Sequence, residues 1–145
     1  MKPEEFLTKE DQQLIIHAIQ NAEKNTSGEI RVHLEAKCRG DVMDRAAFIF
    51  EKLKMHETEL RNGVLFYLAL DNRKFAILGD AGINEVTPDD FWDEIKDDML
   101  TLFKEGKFRE GLVRGIGMAG DALKNYFPYK SDDVNELSDE ISFGE

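Results

Sequence analysis

Glu29-Ile30-Arg31-Val32-His33-Leu34-Glu35-Ala36 alternates polar and apolar residues without a break. A period of two belongs to a β-strand, and this strand is expected to bury the face carrying Ile30, Val32, Leu34 and Ala36. The opposite face, with Glu29, Arg31, His33 and Glu35, reads as solvated. On both sides of this stretch the period becomes helical. Upstream, Ile15, Ala18, Ile19 and Ala22 recur at helical spacing behind Thr8-Lys9-Glu10-Asp11, a hydroxyl N-cap with a carboxylate three residues on. Downstream of Gly40-Asp41, Val42, Ala46, Ile49, Phe50 and Leu53 form one apolar stripe.

Val64 to Leu70 is a nearly unbroken apolar run, the pattern of a central strand covered on both faces. Asp71-Asn72-Arg73 interrupts it and Phe75 to Leu78 resumes it, which reads as a β-hairpin. Thr87-Pro88-Asp89-Asp90 then suggests a helix start, followed by the apolar face of Phe91, Trp92, Ile95, Met99, Leu102 and Phe103. A last helix carries Phe108, Leu112, Ile116, Ala119, Leu123 and Phe127, and Pro128 closes it. The order is α-β-α-β-β-α-α. Since β-α-β steps are right-handed parallel crossovers, the class is α/β, with a small mixed sheet sandwiched by helices. One domain over residues 1–128 and an acidic C-terminal tail over 129–145 account for the chain. Leu137, Ile141 and Phe143 are spaced to anchor that tail, so ordered and solvated tails are both open.

Acidic residues outnumber basic ones 30 to 19, a formal net charge of −11. That charge repels phosphate backbones and anionic lipid, which argues against nucleic acid as a partner. No stretch approaches the roughly 20 apolar residues that span a bilayer, so no membrane insertion is expected. Met1 to Glu5 lacks the apolar run of a signal peptide, and Cys38 is the only cysteine. A cytoplasmic location is the simplest expectation.

Motifs for chemistry are sparse. Gly115-Ile116-Gly117-Met118-Ala119-Gly120 matches a dinucleotide fingerprint by letter, yet it lies inside a helical repeat with no strand before it. Gly111, Gly115 and Ala119 share one helical face instead and suit close helix packing. His17, His33 and His56 have no metal-ligand spacing, no serine sits in a nucleophile elbow, and Cys38 has no placed base. No cofactor site other than a metal is expected.

The turns offer more. If the first two strands are parallel, the turn with Cys38, Arg39, Gly40 and Asp41 adjoins the hairpin turn with Asp71, Asn72 and Arg73, and Asp44 follows one helical turn on. Ligands of open α/β sheets favour this carboxyl edge. Asp41, Asp44, Asp71 and the Asn72 amide supply hard oxygens of the kind calcium or magnesium takes. They equally suit helix caps and hairpin turns. A lesser candidate, Glu29, Asn62, Asp80 and Asn84, lies at the opposite edge among Gly63, Gly79 and Gly82.

Ser27-Gly28-Glu29-Ile30, Asn62-Gly63-Val64-Leu65, Asp71-Asn72-Arg73-Lys74 and Gly79-Asp80-Ala81-Gly82-Ile83 together resemble the TPM domain, over about residues 8–127. Asn135 to Glu140 is similar to the same segment in a soluble subgroup. The resemblance implies an α/β sandwich, calcium binding, and either an acid phosphatase like that of the thylakoid lumen or an accessory factor for a protein partner. The family hairpin commonly reads Asp-Asp-Arg, and Asn72 here removes one carboxylate. Three readings stand: a divalent-cation-binding, protein-interacting accessory factor; a metal-assisted phosphomonoester hydrolase with Arg73 or Arg39 at the phosphate; and a metal-free interaction module. With no nucleophile beside a base, any phosphatase turnover is expected to be weak.

Overall fold

A computed structural model describes residues 7–129 and 135–144. The expectations for Met1–Glu5 and for Ser131–Val134 lie outside the described residues. Strand β1 (Glu29–Glu35) runs parallel to β2 (Gly63–Ala69), in the register Glu29↔Gly63 through Glu35↔Ala69. β3 (Lys74–Gly79) returns antiparallel to β2, as the hairpin pattern predicts. A two-residue strand near the C-terminus, β4 (Ser142–Phe143), pairs parallel with the other side of β1 and gives the order β3-β2-β1-β4.

Helices cover both faces. The larger layer holds α1 (Lys9–Glu23) and two later helices, α4 (Asp93–Lys104) and α5 (Phe108–Leu123). α2 (Val42–Lys52) makes the opposite layer, and α3 (Ala81–Asn84) is a single turn capped by the Asp80 side chain. Pleating divides the central strand between two cores. Val64, Phe66 and Leu68 join Ile15, Ile19, Met99, Phe103, Leu112 and Ile116. Leu65, Tyr67 and Ala69 join Ala46, Ile49, Phe50 and Met55 under α2. Each fully buried aliphatic or aromatic side chain contributes about 1.5–3 kcal/mol of transfer free energy, so β2, buried at every position, anchors both layers.

The Thr8 capping box forms as expected: the Thr8 hydroxyl accepts from Asp11 N at 3.0 Å and Asp11 Oδ2 accepts from Thr8 N at 3.2 Å. Two expectations need correction. Pro88 does not begin a helix, because the Thr87 hydroxyl donates back to Ile83 O at 2.8 Å and residues 88–92 make successive turns before α4 starts at Asp93. Nor does β1 bury one face only. His33 and Glu35 are 4% and 1% exposed, because α2 and the C-terminal segment roof the polar face.

The glycine-rich string of α5 is packing. A Cβ on Gly111 would lie 2.4 Å from the Phe103 ring, and one on Gly115 would lie 2.3 Å from Met99 Sδ, so α4 sits directly on this stripe. Met99 can bend away, whereas the Phe103 ring is wedged against Phe75 at 5.0 Å between centroids. Gly111→Ala should therefore destabilise the domain by about 1–3 kcal/mol, despite alanine's better helix propensity. Urea unfolding of the two proteins checks this, and a more stable variant would refute it.

Candidate functional site

The polar face of β1 ends in a buried ion cluster at the carboxyl edge of the sheet. Glu35 accepts two hydrogen bonds from the Arg45 guanidinium, from Nε and Nη2 at 2.8 Å each, and a third from the Tyr67 hydroxyl. Arg45 sits one turn into α2, and Tyr67 pairs with His33 across the parallel ladder. His33 Nε2 lies 3.3 Å from Glu35 Oε1, and its Nδ1 lies 2.9 Å from the Ser142 hydroxyl. An ionised carboxylate only accepts, so Nε2 carries the imidazole proton and Nδ1 accepts from Ser142.

The charges follow from these contacts. Burial alone would raise the Glu35 carboxyl, but hydrogen bonds from Arg45 and Tyr67, with the Arg45 charge, hold it down at about 2. Burial, reinforced by the Glu35 bond, pushes the Tyr67 phenol well above its usual range, and burial lowers the His33 imidazole. Glu35 is thus a fixed anion, Tyr67 a fixed donor and His33 a neutral ring. Arg45 is about a third exposed, and with Lys37, Arg39, Ala36 and Glu35 it lines an open cavity of about 340 Å³. A basic rim thus stands at this edge of a strongly acidic chain.

The parallel register brings the two expected turns together. Asn72 Oδ1 accepts from Cys38 N at 2.6 Å, and Lys74 Nζ donates to Gly40 O at 3.2 Å, so two bonds tie the turn after β1 to the hairpin turn. Asp41 caps α2, its Oδ1 accepting from Met43 N at 2.7 Å and Asp44 N at 3.1 Å. Asp44 and Asp71 are exposed. The four expected ligands share one edge, but among the described residues no three His, Cys, Asp or Glu side chains are gathered as a metal cage. Cys38 is buried, its Sγ 3.9 Å from Gly40 O.

The opposite edge is mostly structural. Asp80 takes two bonds from Arg61 at 2.7 and 2.8 Å, and Asn62 Nδ2 and Asn84 Nδ2 donate to Ser27 O and Gly79 O at 3.2 Å each. Glu29 differs. Its Oε1 accepts from Leu137 N at 2.6 Å, beside Glu23 and Asp139, in a cavity of about 220 Å³. Burial pushes the Glu23 carboxyl up to about 9, helped by its hydrogen bond with Asp139, and burial pushes Glu29 up to about 7, helped by Glu136.

Sequence reading missed the Glu35 cluster because charged alternating positions look solvated. One signal was available: the unbroken apolar run of β2 demanded cover on both faces, and a strand parallel to it shares that cover.

The fold and residues match known proteins. A model of the TPM domain matches residues 1–122. The chain belongs to the TPM domain family. It is similar to the BA42 protein from the psychrophilic bacterium Bizionia argentinensis, with 55% identity over 97% of each chain and a TM-score of 0.92. The N-terminal domain of a protein from P. gingivalis shares 20% identity over 84% of this chain and 79% of that one, with a TM-score of 0.70. The N-terminal domain of cg2496 from Corynebacterium glutamicum shares 14% over 88% and 80%, with a TM-score of 0.67. These last two show the TPM fold alone. No curated protein matches the chain. Among the described residues no helix is long and apolar enough to cross a membrane.

Two predictions follow from the ionised groups. Arg45→Met would strand the Glu35 carboxylate with only neutral donors and should cost on the order of 3 kcal/mol, the low end for a broken buried pair because Arg45 is partly exposed. Chemical denaturation at pH 7 measures it, and a loss below ~1 kcal/mol would show that water already screens the pair. The pH profile has two limbs. Glu35, depressed in the fold, contributes stability above about pH 4.5 that is lost as pH falls towards 2. Glu23 and Glu29, raised in the fold, contribute stability at about pH 4.5 and below that is lost as pH rises through 7 to 9. The melting temperature should peak on the acid side of neutrality and fall towards pH 9, and Glu23→Gln should flatten that alkaline fall.

Proposed function

We propose that this TPM domain is a binding module of the cytoplasm, an accessory factor for a protein partner, whose β1/β2 carboxyl edge takes a divalent cation, calcium or magnesium. The observation that carries the reading is the Cys38 N–Asn72 Oδ1 bond, which holds the Asp41–Asp44 turn against the Asp71 turn. Asp41 and Asp44 from one turn and Asp71 from the other supply carboxylate oxygens, and Asn72 Oδ1 keeps a second lone pair beyond its bond to Cys38. A cation there would neutralise like charges and tie both strand ends together. The carboxylates must close on the ion, so weak binding in the range of about 0.1–1 mM is expected, as for loosely organised calcium sites.

Saturation a hundredfold above the dissociation constant stabilises a native state by roughly 2.7 kcal/mol. Calcium at low millimolar concentration should raise the melting temperature measurably beyond sodium chloride of equal ionic strength, which controls for screening. Asp41→Asn combined with Asp71→Asn should erase that increment. A double variant that responds like the wild type would remove the site and leave a metal-free interaction module.

The basic cavity of Lys37, Arg39 and Arg45 favours a second reading, a phosphomonoester hydrolase in which these cations hold the phosphate. The ionised Glu35 is consumed by Arg45 and Tyr67, and the Tyr67 hydroxyl bonded to it is kept protonated by burial and by that bond, which makes it a poor nucleophile. Turnover of an aryl phosphate is expected to be feeble with or without added metal. Robust turnover that Asp71→Ala abolishes in a folded protein would establish the enzyme instead.

A further inference from the structure

The chain's own C-terminal segment shows what the outer edge of β1 accepts. Ile141 enters the larger core at 9% exposure. Ser142 pairs with His33 and Phe143 with Leu34 in parallel register, and Gly144 N donates to Leu34 O at 2.7 Å. The Ser142 hydroxyl meets His33 Nδ1, which is the acceptor nitrogen because Nε2–H faces Glu35. At Gly144 there is no room for a side chain: a Cβ would lie 2.4 Å from Glu35 Oε1 and 3.1 Å from His33 Nε2. The edge therefore reads three positions, an apolar residue, a hydroxyl and a glycine, while Phe143 pairs through its backbone and leaves its ring exposed.

The border of this edge is cationic. Arg31 faces Glu140, and its buried Nε has no hydrogen-bond partner among the described residues. Arg45 and Lys52 join His33, Ser142 and Phe143 around an open cavity of about 340 Å³. From the segment 135–144 it is Glu140 that meets this border, at Arg31, while Glu136 and Asp139 lie beside Glu29 and Glu23. The hold of Ile141–Gly144 on the ladder is short, two paired residues against the seven of β2, so beyond the Ile141 side chain and the Ser142–His33 bond few contacts oppose their departure from the edge.

We propose that the outer edge of β1 is a peptide-binding edge, filled in cis by Ile141–Gly144 and in trans by an extended partner segment with the same apolar–hydroxyl–any–glycine order, preceded by a carboxylate that meets Arg31. Binding adds a strand parallel to β1, with backbone bonds supplying affinity and the His33 and Glu35 contacts supplying selectivity. This assignment is independent of the cation at the carboxyl edge.

The test uses the full chain carrying Gly144→Val, and a fluorescent synthetic peptide of residues 135–144 followed by anisotropy. The variant should release the Leu34 amide and shift the neighbouring Glu35 amide, which stays bonded towards β2, both seen in a ¹H–¹⁵N spectrum, and bind the peptide. The wild type should bind it at least about tenfold more weakly, since the cis segment occupies the edge most of the time. Peptides with serine replaced by alanine or glycine by valine should each lose about tenfold. Equal binding by wild type and variant would place the peptide elsewhere and overturn the proposal. So would a released edge that ignores the peptide, or a concentration-dependent dimer, which would make a second copy the occupant. If Gly144→Val leaves those amides unmoved, Ile141→Asp with Gly144→Val is measured in the same way, and unmoved amides there also overturn it.

Discussion

A carboxylate with almost no access to water sits at the end of the first strand, and much of the smaller layer is arranged to keep it ionised. Glu35 needs a cation, and Arg45 supplies one only if α2 starts close to the edge and lies along the sheet. Asp41 fixes that start by capping the helix. Tyr67 must then fall opposite His33, which the parallel register ensures. A buried charge is costly unless every lone pair is met, so this cluster selects one register and one helix position where a purely apolar face would tolerate several. The specificity of the smaller layer comes from this polar satisfaction; the bulk of the stability comes from the larger core.

The net charge of −11 misleads about this edge. Lys37, Arg39, Arg45 and Lys74 gather there, beside the turns that carry Asp41, Asp44 and Asp71. Summed charge governs solubility and long-range approach, whereas a concave rim of one sign sets the local potential a ligand meets. The expectation that anionic macromolecules are repelled follows from the sum. It does not describe what the rim attracts at contact distance.

Most of the fold could be read from periodicity. Alternation over Glu29–Ala36, the continuous run of Val64–Leu70 and the Asp71-Asn72-Arg73 interruption define three of the four strands and their directions. β4 escaped because two residues carry no period, and its place depends on Gly144 meeting Glu35, a contact between residues far apart in sequence. The helix start at Thr87-Pro88 was wrong because a proline and a hydroxyl serve a turn as well as a cap, and only the Thr87–Ile83 bond distinguishes the two. The edge that unites Asp41 and Asp71 was legible, since a parallel crossover requires it. The Glu35 cluster was not, because pairing partners for a charge are set by tertiary packing. Sequence alternation records only that the charge is there.

The two helical layers differ greatly in thickness. On one side three helices enclose a continuous core, while on the other a single helix of 11 residues covers a patch built from Leu65, Tyr67, Ala69 and Ala76. Cooperative units with less buried apolar surface open at lower free energy than the whole molecule does. α2 should therefore lift as a separate foldon, with its amides exchanging long before those of β2 or α5. The thin side also carries the ion cluster, the basic rim and the two tied turns. The surface best suited to meeting other molecules is thus the part of the domain that can rearrange at least cost, leaving the thick side as a rigid base.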